Sequence, residues 1–341
     1  LSAISTLNPG LGKSILDMHV HVAGLGYGGS GCFINREMRK NYRFPFYLMA
    51  MGTNEEELQQ HGDAFLFQKI SRNIAQSANV AGAVILALDG YVENNGELNK
   101  EKTQIYVPDA YVARETKKYA DLYFGASINP NRDDAVERLR LAQKNGAVLV
   151  KWIPSIMNID PADPRHLPLY RAMAERNIPL LSHTGTERSF TGSQDELADP
   201  QRLKLPLEQG VTVIAAHIAS TGKNQGQKNF QRILPMLRRY SRLYVDISSL
   251  TQINKPGCLA RAVSKKYVVE RMMYGTDWPL QFFPLISPWY HIRHISLSHA
   301  WQISGIQNTW DRDAALKAAY GLPDSVFRRS SEILLRKNAE D

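Results

Sequence analysis

The feature that most constrains this 341-residue chain is a rhythm in which short apolar runs return at regular intervals, each followed by a stretch of helical periodicity. The runs fall at 15–22, 83–88 (A-V-I-L-A-L), 122–128, 147–153 (A-V-L-V-K-W-I), 178–183, 211–217, 242–247 and 271–276. Helical patterns fill 55–79, 108–120, 131–145, 164–177, 200–209, 226–240 and 256–268, and the tail from about 289 is helical again. Strands that stay apolar on both faces, each followed by a helix of 10 to 15 residues, imply parallel βαβ units. Eight of them is the count for a closed (β/α)8 barrel, a TIM barrel of the α/β class, whose reactive groups sit at the carboxyl ends of the strands. A barrel of this size is expected to be one domain spanning 1–341. Its core would cover about 15–280, with an insertion after the first strand (35–80) and a C-terminal helical extension over about 289–341.

Composition narrows the function classes. With 43% hydrophobic and 22% charged residues the chain has the makings of a sizeable core, and no apolar run approaches the roughly 20 residues of a membrane helix. A net charge of +8 and a pI near 9.3 invite a nucleic-acid reading. The basic pairs Lys117-Lys118, Arg238-Arg239, Lys265-Lys266 and Arg328-Arg329 are scattered, however, with no binding motif, so no nucleic-acid partner is expected. The charge favours acidic small molecules at long range. Cys32 and Cys258 form no C-x-x-C, and a core of this size does not require them to pair. The expected compartment is the cytoplasm; a chain that begins at Leu1 is also compatible with export after removal of a leader, and homo-oligomerisation stays open.

The first strand, I-L-D-M-H-V-H-V, carries His19 and His21 on one face, about 7 Å apart along the chain, where two imidazoles can bite one metal ion. A chance pair of strand histidines is the competing reading. Gly26 to Gly31 matches G-x-G-x-x-G, but a dinucleotide site also needs a helix opening at those glycines and an acid about 20 residues on. Neither is expected here, and the run reads as a flexible loop beside the histidines. Gly12-Lys13-Ser14 resembles the end of a phosphate loop, yet Leu7 stands where its first glycine belongs.

Other strands end in the same kind of chemistry: Lys151 on the fourth, His183 on the fifth, His217 on the sixth, Asp277 on the eighth. Each alone is an ordinary core or loop residue; together, in a barrel, they converge on one rim. Imidazole and carboxylate suit Zn²⁺, and also Mn²⁺ or Fe²⁺. A lysine ammonium beside a dication would be repelled, which points to a neutral or carboxylated Lys151 or, on the bland reading, to a surface lysine.

The segments D-M-H-V-H, V-K-W-I-P, L-S-H-T-G, A-A-H-I and G-T-D-W-P together resemble the amidohydrolase superfamily of metal-dependent hydrolases, in the branch often called amidohydrolase 2, over residues 15 to about 280. The resemblance implies a (β/α)8 barrel with one or two divalent metal ions. In the two-metal form, His19, His21 and Asp277 hold the more buried ion and His183 and His217 the second, with carboxylated Lys151 bridging. In the one-metal form His217 becomes the acid/base and Lys151 a substrate or structural group. The expectation is the two-metal form, most simply with Zn²⁺.

The expected reaction is hydrolysis of an amide, lactone or ester by a water whose pKa the metal lowers from about 15.7 towards about 7, with Asp277 as general base and then acid. Metal-dependent non-oxidative decarboxylation, with His217 and Asp277 acting on a substrate carbanion, is the alternative on the same scaffold; a non-catalytic binding barrel and a dinucleotide oxidoreductase are weaker ones. The expected substrate contacts are Arg188, as partner of a carboxylate, with Trp152 and Trp278 in an aromatic wall.

Overall fold

A computed structural model describes residues 12–335; the lead-in through residue 11 and the chain from Arg336 onward lie outside the described residues. Eight parallel strands form one sheet in chain order: β1 (Ile15–His21), β2 (Val80–Leu86), β3 (Leu122–Ala126), β4 (Ala147–Trp152), β5 (Leu180–Ser182), β6 (Val213–Ala215), β7 (Leu243–Asp246) and β8 (Met272–Met273). Backbone hydrogen bonds from Asp277 to the His19 carbonyl (2.9 Å) and from His21 to the Trp278 carbonyl (3.0 Å) join the segment after β8 to β1 and close the barrel.

Alternation along each strand sorts the side chains. Leu16, Met18, Val84, Leu86, Leu149, Leu181, Ile214, Ala216 and Met273 pack together inside the barrel. Their neighbours Ile15, Val20, Ala83, Ile85, Val150, Leu180 and Val213 face the surrounding helices. These are α1 (Phe65–Ala75), α2 (Asp109–Thr116), α3 (Ala135–Lys144), α4 (Leu167–Glu175), α5 (Lys204–Glu208), α6 (Asn229–Arg239), α7 (Cys258–Val263) and α8 (Asp324–Leu334). Among the described residues no helix is long and apolar enough to cross a membrane.

The helical pattern at 55–79 is two helices, not one. Asn54 caps Glu55–His61 by accepting from Glu57, three glutamates occupy the first turn, and Gly62 ends it at φ 77° before α1 begins. The pattern at 256–268 divides likewise, into α7 and a short helix Lys266–Val269. The insertion after β1 adds Arg36–Lys40 and Phe44–Ala50, which lie over the mouth of the barrel.

The Gly26–Gly31 loop is held in place rather than free. The buried Asp63 carboxylate accepts from the backbone of Leu25 (3.1 Å) and Gly26 (2.9 Å) and from the Ser30 hydroxyl (2.5 Å). Gly24 lies so close to Asp63 that a Cβ would come within 2.4 Å of its oxygen, so no larger residue fits. A two-residue strand, Phe33–Ile34, follows the glycines where a dinucleotide site needs a helix. Cys32 and Cys258 are buried free thiols.

The C-terminal helices Leu297–Ser304 and Thr309–Ala318 lead back to α8, which packs against β1 and β8. Lys317, fully buried, donates to the Gly275 carbonyl (2.8 Å) and to Asp313 (2.7 Å), fastening this extension to the closing edge of the barrel. Lys317→Ala removes the cation from a buried carboxylate and should destabilise the fold by about 3–5 kcal/mol. Urea unfolding of the two proteins checks it, and a loss under about 1 kcal/mol would show that the bridge supports little.

Candidate functional site

His19, His21, Lys151, His183, His217 and Asp277 all line one cavity at the carboxyl ends of the strands. Three local devices aim them there. In β1 the register against β2 shifts between Asp17 and Val20, which marks a β-bulge. Leu16 and Met18 lie inside the barrel below the bulge, and His19 and His21 face inside above it. Simple alternation would have put the histidines and the inner apolar residues on opposite faces, and one inserted residue resolves that conflict.

The second device acts after β6. Ala216 faces inward, so alternation would turn His217 out, but the backbone becomes left-handed at His217 (φ 58°), Ile218 (φ 52°) and Ala219 (φ 49°). This conformation is unfavourable for a β-branched residue such as Ile218. It swings the His217 ring into the mouth, stacked on His19 with ring centroids 5.3 Å apart. The third is at Asp277, also left-handed (φ 67°), whose Oδ1 lies 3.4 Å from Nε2 of both His19 and His21.

The two β1 histidines bring their Nε2 atoms to 3.1 Å of each other, and Lys151 Nζ lies 3.0 Å from His19 Nε2. His19, His217 and Asp277 offer ligand atoms that all lie within 4.8 Å of one another. His19 Nδ1 is 2.6 Å from the Asp246 carboxylate, which fixes the Nδ1–H tautomer and leaves the Nε2 lone pair facing the cavity. His217 Nδ1 has the Ser248 carbonyl as its acceptor (3.1 Å), again freeing Nε2. His183 Nδ1 faces Glu187 at 3.4 Å, while its buried Nε2 has no hydrogen-bond partner among the described residues. Three imidazoles, each with Nδ1 turned to an oxygen acceptor and Nε2 turned to the cavity, beside a carboxylate, form a donor set that fits a divalent cation.

Electrostatics agree with that donor set. Burial, reinforced by Lys151, holds His19 down to about 4, and burial likewise lowers His183 and His217, so all three imidazoles are neutral at pH 7, the form that can donate to a metal. Burial works to raise Asp277, but His217 and His21 outweigh it and keep the carboxylate well below its usual range. Lys151, 1% exposed, is drawn down to about 8 by burial.

The substrate contacts expected from sequence are placed differently. Trp152 points outward from β4 into the helix layer, next to Tyr170, and its Nε1 donates to the Ile128 carbonyl. Trp278 stacks on Trp310 at 5.9 Å in the same outer core. Both are buried packing residues, and neither lines the cavity. Alternation explains Trp152: its neighbour Lys151 takes the inward position. Arg188 is exposed and lies beside a second, smaller cavity that shares His183, Glu187, His217 and Asp277 with the first.

Sequence reading missed four polar residues here. Asp246 ends β7 in Y-V-D, so the rule that found the other strand-end groups applies to it unchanged. Ser248, whose Oγ approaches both His19 (3.1 Å) and His217 (2.8 Å), follows two residues later. Glu187 and Lys255 come from loops, with no periodicity to flag them; Lys255 Nζ donates to Ser249 Oγ.

Known proteins bear on this geometry. No curated protein sequence matches the chain significantly. Among solved structures, an uncharacterised TIM-barrel protein from Bordetella bronchiseptica superposes with a TM-score of 0.58 at 16% identity, covering 94% of this chain and 98% of that one. A candidate 2-pyrone-4,6-dicarboxylic acid hydrolase from Pseudomonas putida gives 0.52 at 14% identity, covering 94% and 97%. Metarhizium anisopliae IDCase in its apo form gives 0.50 at 14%, covering 97% and 98%. At such identities these likenesses speak for the barrel alone. The Amidohydrolase family model, in contrast, matches residues 17–291, a span that holds all six converging side chains, and the chain therefore belongs to the amidohydrolase family.

Proposed function

We propose that the protein is a metal-dependent hydrolase that cleaves an amide, lactone or ester bond of a small molecule. The observation that carries this reading is the convergence of six ligand-type side chains, from five strand ends, on one cavity. His19, His21 and Asp277 would hold one divalent ion, most simply Zn²⁺, and His183 and His217 a second. Lys151, between them, would serve as a carbamate: its neutral amine adds to carbon dioxide, loses a proton and becomes an anion. What supports the carbamate is that Lys151 is buried against a histidine nitrogen with, among the described residues, no carboxylate in hydrogen-bond contact, a poor place for an ammonium. Bound there, the ions would acidify a water and polarise a carbonyl.

The chain's own groups carry the remaining chemistry. Asp277 accepts the proton of the attacking water and returns it to the leaving group, a role that needs an ionised carboxylate at pH 7. Asp246 orients His19, and Glu187 orients His183, each by holding Nδ1. The apolar wall of the cavity excludes bulk water from these charges.

Substitution, metal analysis and isotope labelling test this reading. Asp277→Asn should keep the circular dichroism spectrum and lower kcat by about 10²–10⁴-fold; full activity would remove Asp277 from the proton path. Metal analysis should give two ions per chain, falling to one or none in Lys151→Met, and ¹³C-labelled bicarbonate should give a carbamate resonance in the parent only. A fully active protein with one ion and no such resonance would instead support the mononuclear arrangement. Asp246→Asn should weaken metal retention about 10–100-fold in chelator competition. For the reaction class, hydrolysis places one oxygen from ¹⁸O-water in the organic product, whereas carbon dioxide release with no ¹⁸O in the organic product would identify a decarboxylase.

A further inference from the structure

The two cavities that meet at the ligand cluster differ in character, and the difference bears on what the protein accepts. They share His183, Glu187, Ser189, His217, Asp277 and Leu280, so the cluster is their common boundary. On the β1–β4 side the larger cavity, about 900 Å³ of atom-free space, is walled by Ile34, Met38, Phe44, Leu48, Met51 and Ile105. Met38, Phe44 and Leu48 of that wall stand on the insertion helices Arg36–Lys40 and Phe44–Ala50, and Ile34 and Met51 flank them in the same insertion. Among the described residues its single lysine is Lys151 on the floor, already against His19, and no arginine lines it. The shared carboxylates Glu187 and Asp277 repel anions on both sides, and Arg188 and Lys255 offset them only in the smaller cavity. On the β5–β7 side the smaller cavity is polar, lined by Thr186, Arg188, Thr221, Gln252, Asn254 and Lys255.

The wall is fixed in position over the mouth. Arg43 Nη1 donates to the Arg188 carbonyl (2.6 Å) and Tyr47 Oη to the Ser189 carbonyl (2.8 Å), so the insertion is clasped to the loop after β5. An uncharged arm that fills this side removes apolar surface from water, whereas a carboxylate there would be desolvated with no partner.

We infer that the substrate is a carbonyl compound with an uncharged apolar arm on the insertion side and a polar or anionic head on the Lys255 side. This rests on the proposed function only in placing the reacting carbonyl at the His19–Asp277 cluster. The positive net charge of the chain therefore does not translate into an acid-binding main cavity: apart from Lys151, held against His19, the basic side chains at the site, Arg188 and Lys255, face the other chamber.

Binding by calorimetric titration tests it in two settings. On metal-depleted protein, where no turnover occurs, primary amides from acetamide to hexanamide should tighten about three- to fourfold per methylene. On the same protein N-hexanoylglycine should bind at least tenfold more tightly than octanedioic acid monoamide, an isomer with its carboxylate at the end of the arm. Leu48→Lys should reverse that order, a gain that misfolding cannot produce. No dependence on chain length, or equal binding of the two isomers, would overturn the inference. The matching alkyl hydroxamates on metal-loaded protein separate the two readings. If they gain nothing over the amides while the chain-length slope persists, the metal site fails and the apolar chamber stands.

Discussion

The carboxylate of Asp17 sits on the seam where the barrel closes, and much of the architecture depends on it. It is fully buried and points away from the barrel interior, where it accepts from the backbone of His19 and Thr276, each at 3.0 Å, from the Thr276 hydroxyl at 2.5 Å and from Trp310 Nε1 at 2.9 Å. One side chain thus joins the first strand, the chain just beyond the eighth and the C-terminal extension. The bond to His19 spans the bulge that turns both β1 histidines inward. Closure of the sheet and the direction of the ligands are one structural event.

Backbone strain is concentrated at the same rim. His217, Ile218, Ala219, Ser249 and Asp277 all adopt left-handed φ without being glycine. Each such residue costs on the order of 1–3 kcal/mol and persists only where its surroundings over-determine it. Here Asp246 supplies much of that determination: it accepts from the His217 backbone at 2.7 Å with one oxygen and holds His19 Nδ1 at 2.6 Å with the other. A buried carboxylate with both oxygens engaged locks two candidate ligands on different strands into one geometry.

Much of this was legible in the sequence, because both the fold and the ligand types depend on repetition. Eight apolar runs gave eight strands, and polar residues at their ends gave the six side chains that meet in the cavity. The errors follow from information that repetition does not carry. Gly62 cut a continuous helical pattern in two. Trp152 and Trp278 looked like pocket walls by residue type, but inside or outside is decided by phase along the strand, and they fall on the outer phase. Arg188, in contrast, lines the smaller chamber next to the cluster, with its side chain exposed. Glu187 and Lys255 reach the site through loop geometry that no local pattern encodes.

The clasp between the insertion and the loop after β5 separates two kinds of information in the chain. The groups suited to chemistry stand on the rigid rim of the barrel, and the wall over them comes largely from one contiguous stretch that contributes no strand to it. Because the clasp acceptors are the backbone carbonyls of Arg188 and Ser189, the side chains on both sides can vary without breaking it. Descendants of this sequence could therefore drift in what they recognise while the reactive rim stays constant, with selection acting on a short cassette and not on the scaffold.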